Sequence, residues 1–172
     1  MKHRVQIRRA VEADANAIAD ITAEAFEKYA LDLGSRETVC ALYEKKDDII
    51  SDINTKYVYI GFLNGTPVGS IRFEIINGVS YISRFGVKLI AQGCGMGRAL
   101  VKAVKEESSA LSLCSVALHT SSRMASLIRF YYGQGFFIHS TSTHRGYIRA
   151  LLICELQREP NIDYRLTLAS KE

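Results

Sequence analysis

Between a β-branched run and an amphipathic segment the chain reads Gln92-Gly93-Cys94-Gly95-Met96-Gly97. Three glycines at alternate positions let a backbone approach a ligand closely and turn free N–H groups outward, and at a helix N-terminus the peptide dipoles favour an anion there. The spacing suits a pyrophosphate cradle; a tight turn needing its glycines only for geometry is the competing reading. Two nucleotide loops are excluded. A Walker loop requires G-x-x-x-x-G-K-[ST], and neither that spacing nor the Lys-Ser/Thr pair is present. A dinucleotide loop requires G-x-G-x-x-G with an acid about 20 residues on, whereas residues 108–154 hold Arg123, Arg129, Arg145 and Arg149 and no Asp or Glu. Such a field favours an anionic partner.

A nucleotide with an extra ribose phosphate, as in coenzyme A, suits this basic second half better than NAD does. Metal chemistry is not expected. Cys40, Cys94, Cys114 and Cys154 are far apart without a C-x-x-C, and His3, His119, His139 and His144 are equally dispersed, so neither a zinc site nor a redox dithiol is indicated. The cysteines read as free thiols behaving like small hydrophobes. A nucleophilic role for Cys94 is not favoured.

The loop needs a strand before it and a helix behind it, and the flanking patterns supply both. Val5 to Arg8 reads as a short strand, and Ile18, Ile21, Ala25 and Phe26 then fall at helical spacing behind Asp14, an expected N-cap. A second helical stretch is expected from about Arg36 to Ile53. Tyr57 to Phe62, Val68 to Ile76 and Val79 to Val87 form a three-stranded meander closed by Asn64-Gly65 and Asn77-Gly78, the dipeptides of two-residue hairpin turns. After the loop, Leu100, Ala103 and Val104 line one face of a helix, and Leu111 to Thr120 reads as a buried strand. Ser121-Ser122 can cap a further helix ending near Gly133 or Gly135. Phe136 to His139 and Tyr147 to Leu156 are the last two strands.

The 172 residues, 48% hydrophobic and 23% charged, make one ordinary folded domain, with its core over about 5–156 and a short C-terminal tail over 157–172 containing Pro160. A net charge of +4 is too small to imply nucleic-acid binding. No segment is apolar enough to span a bilayer, and Met1-Lys2-His3-Arg4 runs into Arg8-Arg9 rather than a signal-like apolar stretch. A cytoplasmic protein with no membrane or nucleic-acid partner is the expectation.

Two motifs carry a family resemblance. Gln92 to Leu100 resembles the [QR]-x-x-G-x-[GA] coenzyme-A loop of the GCN5-related N-acetyltransferase (GNAT) superfamily, and Phe130-Tyr131-Tyr132-Gly133-Gln134-Gly135-Phe136 resembles that family's F-Y-x-x-x-G-F. Their order, with a strand between them, extends the resemblance over roughly Val5 to Leu156. It implies an α/β (α+β) fold: a mixed, mostly antiparallel sheet of about six or seven strands flanked by about four helices, in which the strands ending at Val87 and Thr120 splay to form a coenzyme slot. Backbone groups of Phe85, Gly86 and Val87 would hold the pantetheine arm of acetyl-CoA, and Gln92, Gly93, Cys94, Gly95, Met96, Gly97 and Arg98 its pyrophosphate. Tyr131 would protonate the departing thiolate after direct attack by a primary amine. At the position of a common family Asn this chain carries Met124.

Adjacent helical residues point about 100° apart, so only one of Tyr131 and Tyr132 can face the slot; the motif register selects Tyr131. His119 has the chemistry to relay a proton from the acceptor's ammonium, against the plainer reading of a structural histidine. Glu74, the only carboxylate on the meander strands, is a candidate to activate the amine through water, against the reading of a solvent-facing side chain. Tyr29, Arg36, Tyr43 and Tyr147 are candidates for the acceptor pocket. The acceptor is a polyamine, an amino-acid or drug-like amine, or a peptide amine; a homodimer is compatible with the family. A non-catalytic acyl-CoA-binding module on the same fold is the alternative function.

Overall fold

The computed structural model describes residues 4–157 and 162–171; Met1 to His3 and Pro160, read above, lie outside the described residues. In chain order the elements are β1 (Val5–Arg9), α1 (Ala15–Leu33), α2 (Lys46–Thr55), β2 (Tyr57–Leu63), β3 (Thr66–Ile76), β4 (Val79–Val87), α3 (Met96–Ala110), β5 (Ser115–Ser121), α4 (Ala125–Tyr132), β6 (Phe137–Ser142), β7 (Arg149–Glu155) and α5 (Tyr164–Thr167). The seven strands are ordered β1-β2-β3-β4-β5-β7-β6. Pairing is antiparallel at β1/β2, β2/β3, β5/β7 and β6/β7 and parallel at β4/β5. The mixed α/β class read from the sequence is the one observed, with a fifth helix, α5, inside the expected tail. No helix among the described residues is long and apolar enough to cross a membrane.

Contacts divide the chain into two compact units: Met1–Phe73 with Ser83–Val104, and Glu74–Ile82 with Lys105–Glu172. In the first, Ala15 and Ile18 of α1 and Ile49 of α2 pack on Val58 and Ile60 of β2. Helix α1 ends where Gly34 takes a φ of 74° and donates to the Ala30 carbonyl at 3.0 Å, with Ser35 N–H reaching the same carbonyl at 3.2 Å, a left-handed stop that glycine allows without strain. Asp14 stands at the N-cap as expected but does not cap. Its carboxylate instead receives two hydrogen bonds from Arg8, at 2.7 and 2.8 Å, and one from the Val11 amide.

The continuous helix expected from Arg36 to Ile53 is broken into a 3-10 turn at Cys40–Tyr43 and α2. The cause lies on β3. The Arg72 side chain is fully buried, and it donates to both Glu44 carboxylate oxygens, at 2.9 and 2.6 Å, to Asp52 at 2.8 Å and to Thr22 at 3.3 Å. A buried guanidinium is tolerable only when its charge and donors are met. Glu44 reaches it because residues 44 and 45 leave the helix in extended conformation. Burial works against the Asp52 carboxylate, yet hydrogen bonds from Lys56 and Arg72 hold it below its usual pKa.

In the second unit, Val79, Tyr81, Ala117, Leu151 and Ile153 form an apolar cluster closed by Tyr164 and Leu168 from the C-terminal segment. The strand expected from Leu111 begins only at Ser115: α3 runs to Ala110 and the chain turns through Ser112, whose φ is 56°.

Candidate active site

Helix α3 starts unusually close to the sheet. A Cβ on Gly61 would lie 2.3 Å from Met96 Sδ, and one on Gly69 2.8 Å from Leu100 Cδ1 and 2.9 Å from Met96 Cγ. The two strand glycines thus make the groove that seats Met96 and Leu100, both fully buried, and the groove places the loop that precedes them. Glu24 of α1 adds a second tether by accepting the Leu89 N–H at 2.7 Å. Gly93 and Gly95 have φ of 79° and 89°, and a Cβ on either would meet no atom within 4 Å. Both face open space. The first helical bond runs from Ala99 N–H to Gly95 O at 3.0 Å, so the amides of Met96, Gly97 and Arg98 have no acceptor in the helix's own ladder. Gln92, Gly93, Gly95 and Arg98 are exposed. Met96 can offer only its backbone, and the half-buried Cys94 points its thiol at the Ala91 carbonyl, 2.8 Å away.

The β4/β5 ladder covers Val79 to Ile82 against Ser115 to Leu118. Strand β4 continues to Val87, with Phe85 and Val87 half-buried and Gly86 buried; Lys88 N–H, just beyond it, donates to the Val68 carbonyl at 2.8 Å.

On α4 the two tyrosines separate as helical geometry demands. Tyr131 is 5% exposed, its ring edge-on to Phe130 and Phe136, at 5.2 and 5.5 Å between centroids. Tyr132 is 51% exposed, and its hydroxyl accepts the Ile138 N–H at 3.3 Å. Met124 is buried at the position preceding α4.

The remaining candidates fall in several places. His119 Nδ1 lies 2.9 Å from the Tyr81 hydroxyl, so the histidine has a structural partner that the sequence reading missed. Glu74 is half-buried and pairs with Lys171 at 2.6 Å, a partner 97 residues away. Tyr43 lines a cavity of about 310 Å³ with Glu44, Asp52, Lys56, Ser83 and Arg84. Arg36 does not join it, being held by Glu27; Tyr29 packs against Phe26, and Tyr147 is half-buried in the second unit. The network around Arg72 also escaped the sequence reading. Its one local signal is a charged residue inside the buried stretch Val68 to Phe73. Among the described residues, no group of three or more His, Cys, Asp or Glu side chains could hold a metal ion.

Residues 16–136 match the family model described as the acetyltransferase (GNAT) family. The chain belongs to that family. It is an acetyltransferase. None of the curated proteins matches it in sequence. Among solved structures it is similar to the PaiA N-acetyltransferase of Thermoplasma acidophilum in complex with coenzyme A, at 16% identity and a TM-score of 0.79 over 88% of this chain and 99% of that one. It is also similar to the ribosomal-protein-S18-alanine N-acetyltransferase of Escherichia coli, at 14% identity and 0.72 over 94% and 100%. YncA of Salmonella typhimurium, a putative acetyltransferase with its cofactor acetyl-CoA, gives 19% and 0.71 over 94% and 99%. At these identities the structural likeness is a likeness of fold.

Proposed function

We propose that this acetyltransferase moves the acetyl group of acetyl-CoA to a primary amine by direct attack. The observation that carries the reading is the loop before α3: two glycines with φ of 79° and 89°, the space beyond their α-carbons empty, and unladdered amides behind them. A diphosphate fits such a cradle, since its oxygens need several N–H donors and room where a side chain would stand. The donor supplies a thioester whose carbonyl carbon accepts the amine.

Residues of the chain would perform the rest. Amides from Gly93 to Arg98, with Gln92 beside them, hold the pyrophosphate, while backbone groups of Phe85, Gly86 and Val87 hold the pantetheine arm. As the new C–N bond forms and the C–S bond breaks, the Tyr131 phenol gives its proton to the departing thiolate. The ring is buried between Phe130 and Phe136, which fixes the direction of the phenol, and a fixed proton donor is what general acid catalysis requires. The amine must lose a proton in the same reaction, and His119 or water are candidates to receive it. A free-thiol release assay with acetyl-CoA and an amine panel tests the reading. Thiol release that depends on the amine supports it, and acetyl-CoA binding without turnover of any amine points to an acyl-CoA-binding module instead.

A further inference from the structure

One face of the second unit changes character along its strands. Side chains alternate in a strand, so Val79 and Tyr81 share a face with Ala117, His119 and Ser121 and with Ile153, Leu151 and Arg149, as the registers Tyr81↔Ala117, His119↔Leu151 and Ser121↔Arg149 align them. The rows begin apolar, in the cluster closed by Tyr164 and Leu168. They end in a phenol, an imidazole and a guanidinium. Tyr81 is 6% exposed and Arg149 7%. The Tyr81 hydroxyl meets His119 Nδ1 at 2.9 Å, and the positive charge of Arg149 bears on the same phenol. Arg149 also donates to the Lys171 carbonyl at 3.1 Å.

Among the described residues no carboxylate pairs with Arg149, although a guanidinium this deeply placed is ordinarily matched by one. Glu74, an acid that acts on the Tyr81 phenol, is held by Lys171, whose ammonium also lies 5.6 Å from the Tyr81 ring. Arg145 adds to the positive field on the same phenol. Three cations and one carboxylate therefore surround Tyr81, in a stretch of sequence, 108–154, without any Asp or Glu. Contrast Arg72, fully buried, which has Glu44 and Asp52.

We infer that Arg149, on the sheet face it shares with Tyr81 and His119, is the seat for a carboxylate on the acetyl acceptor. The acceptor is then an amine that also carries a carboxylate, such as an amino acid or a peptide with a nearby acidic group, rather than a polycationic amine. The inference rests on the transferase reading above. Among the described residues Arg149 gives one of its five guanidinium N–H donors to an acceptor, the Lys171 carbonyl. The planar fork that remains matches the two oxygens of a carboxylate.

The test compares common amino acids and short alanine peptides with their C-terminal amides, and with diamines, as acceptors for the wild-type enzyme. The expected result is a kcat/KM about 10²-fold higher for acids than for amides, in line with the loss of one desolvated charge pair. Arg149→Gln should erase that preference by lowering the acids alone, leaving the acetyl-CoA dissociation constant within a few-fold. Because Arg149 also holds the C-terminal segment, the exposed Arg145→Ala is the second variant, expected to lower kcat/KM for acids several-fold without shifting the melting temperature. A preference for amides or diamines, or binding of acetyl-CoA with no acid accepted, overturns the inference. So does an Arg149→Gln effect confined to the coenzyme, since the anion would then be a coenzyme phosphate. If acetyl-CoA itself fails to bind, the donor reading falls, and a coenzyme-free arm still decides this one: titration of alanine and alaninamide followed on the Arg149 side-chain N–H resonances should show alanine alone shifting them.

Discussion

Gly95 offers a substitution pair in which only charge differs. Asn and Asp are nearly the same size, both enter the left-handed region more readily than other side chains, and each should cost about 1–2 kcal/mol of backbone strain at a φ of 89°. Neither meets protein at its Cβ, where no atom lies within 4 Å, so the two variants should fold alike. The Asp carboxylate, however, would repel a diphosphate in the cradle. At an exposed loop that is roughly 1 kcal/mol of repulsion per phosphate charge and about 2 kcal/mol for two, or ~30-fold in affinity. With acetyl-CoA at a hundredfold its wild-type dissociation constant, the stabilisation should fall from ~2.7 to ~0.9 kcal/mol. A chain of this size gains roughly 2–4 °C per kcal/mol, so the melting shift should shrink from about 5–10 °C to about 2–3 °C. Gly95→Asn should keep most of the shift, and raising the salt should narrow the gap between the variants. Thermal melts of the three proteins with and without acetyl-CoA decide the matter. Equal loss in both variants would trace the effect to backbone or bulk rather than charge, and no loss in either would put the diphosphate somewhere other than this loop.

Replacing Tyr131 by Phe should lower turnover by ~10²–10⁴-fold with coenzyme affinity within a few-fold, while Tyr132→Phe, on the exposed side of α4, should be nearly silent in steady-state kinetics. Gly69→Ala forces a Cβ into Leu100 and Met96 and should destabilise by ~1–3 kcal/mol; because it lifts the start of α3, acetyl-CoA affinity measured by calorimetry should weaken with it. Burial raises the Tyr81 phenol above the ordinary tyrosine value, against the opposing pull of Arg149 and Arg145. The folded chain thus keeps this proton to higher pH than the unfolded one, and its contribution is whole below the unfolded tyrosine pKa of about 10 and lost as pH rises through the folded value. Denaturant melts should show stability falling in that alkaline window, less steeply in Tyr81→Phe.

Local grammar was legible in the sequence wherever a few neighbouring residues decide the backbone. Asn64-Gly65 and Asn77-Gly78 take positive φ at both positions, 51° and 86°, then 47° and 83°, as two-residue hairpins demand, and they set β4 at the Val79–Val87 read from the pattern. The glycine loop and the opening of α3 were likewise visible, because their signals are conformational freedom and periodicity within one segment. Helix and strand ends set by distant partners were not visible. The Arg36 to Ile53 stretch reads as one helix until Arg72, 28 residues past Glu44, draws that carboxylate inward. Met96 reads as a loop residue until Gly61 and Gly69 on two strands make it an anchor. The tail reads as an appendage until Tyr164 and Leu168 close an apolar cluster and Lys171 reaches Glu74. Arg149 reads as one basic residue among several; only the fold buries it on the face of Tyr81, with no carboxylate paired to it among the described residues. Burial and ion pairing depend on which segments the chain path brings together, and that path is a property of the packed sheet and helices rather than of any window of sequence.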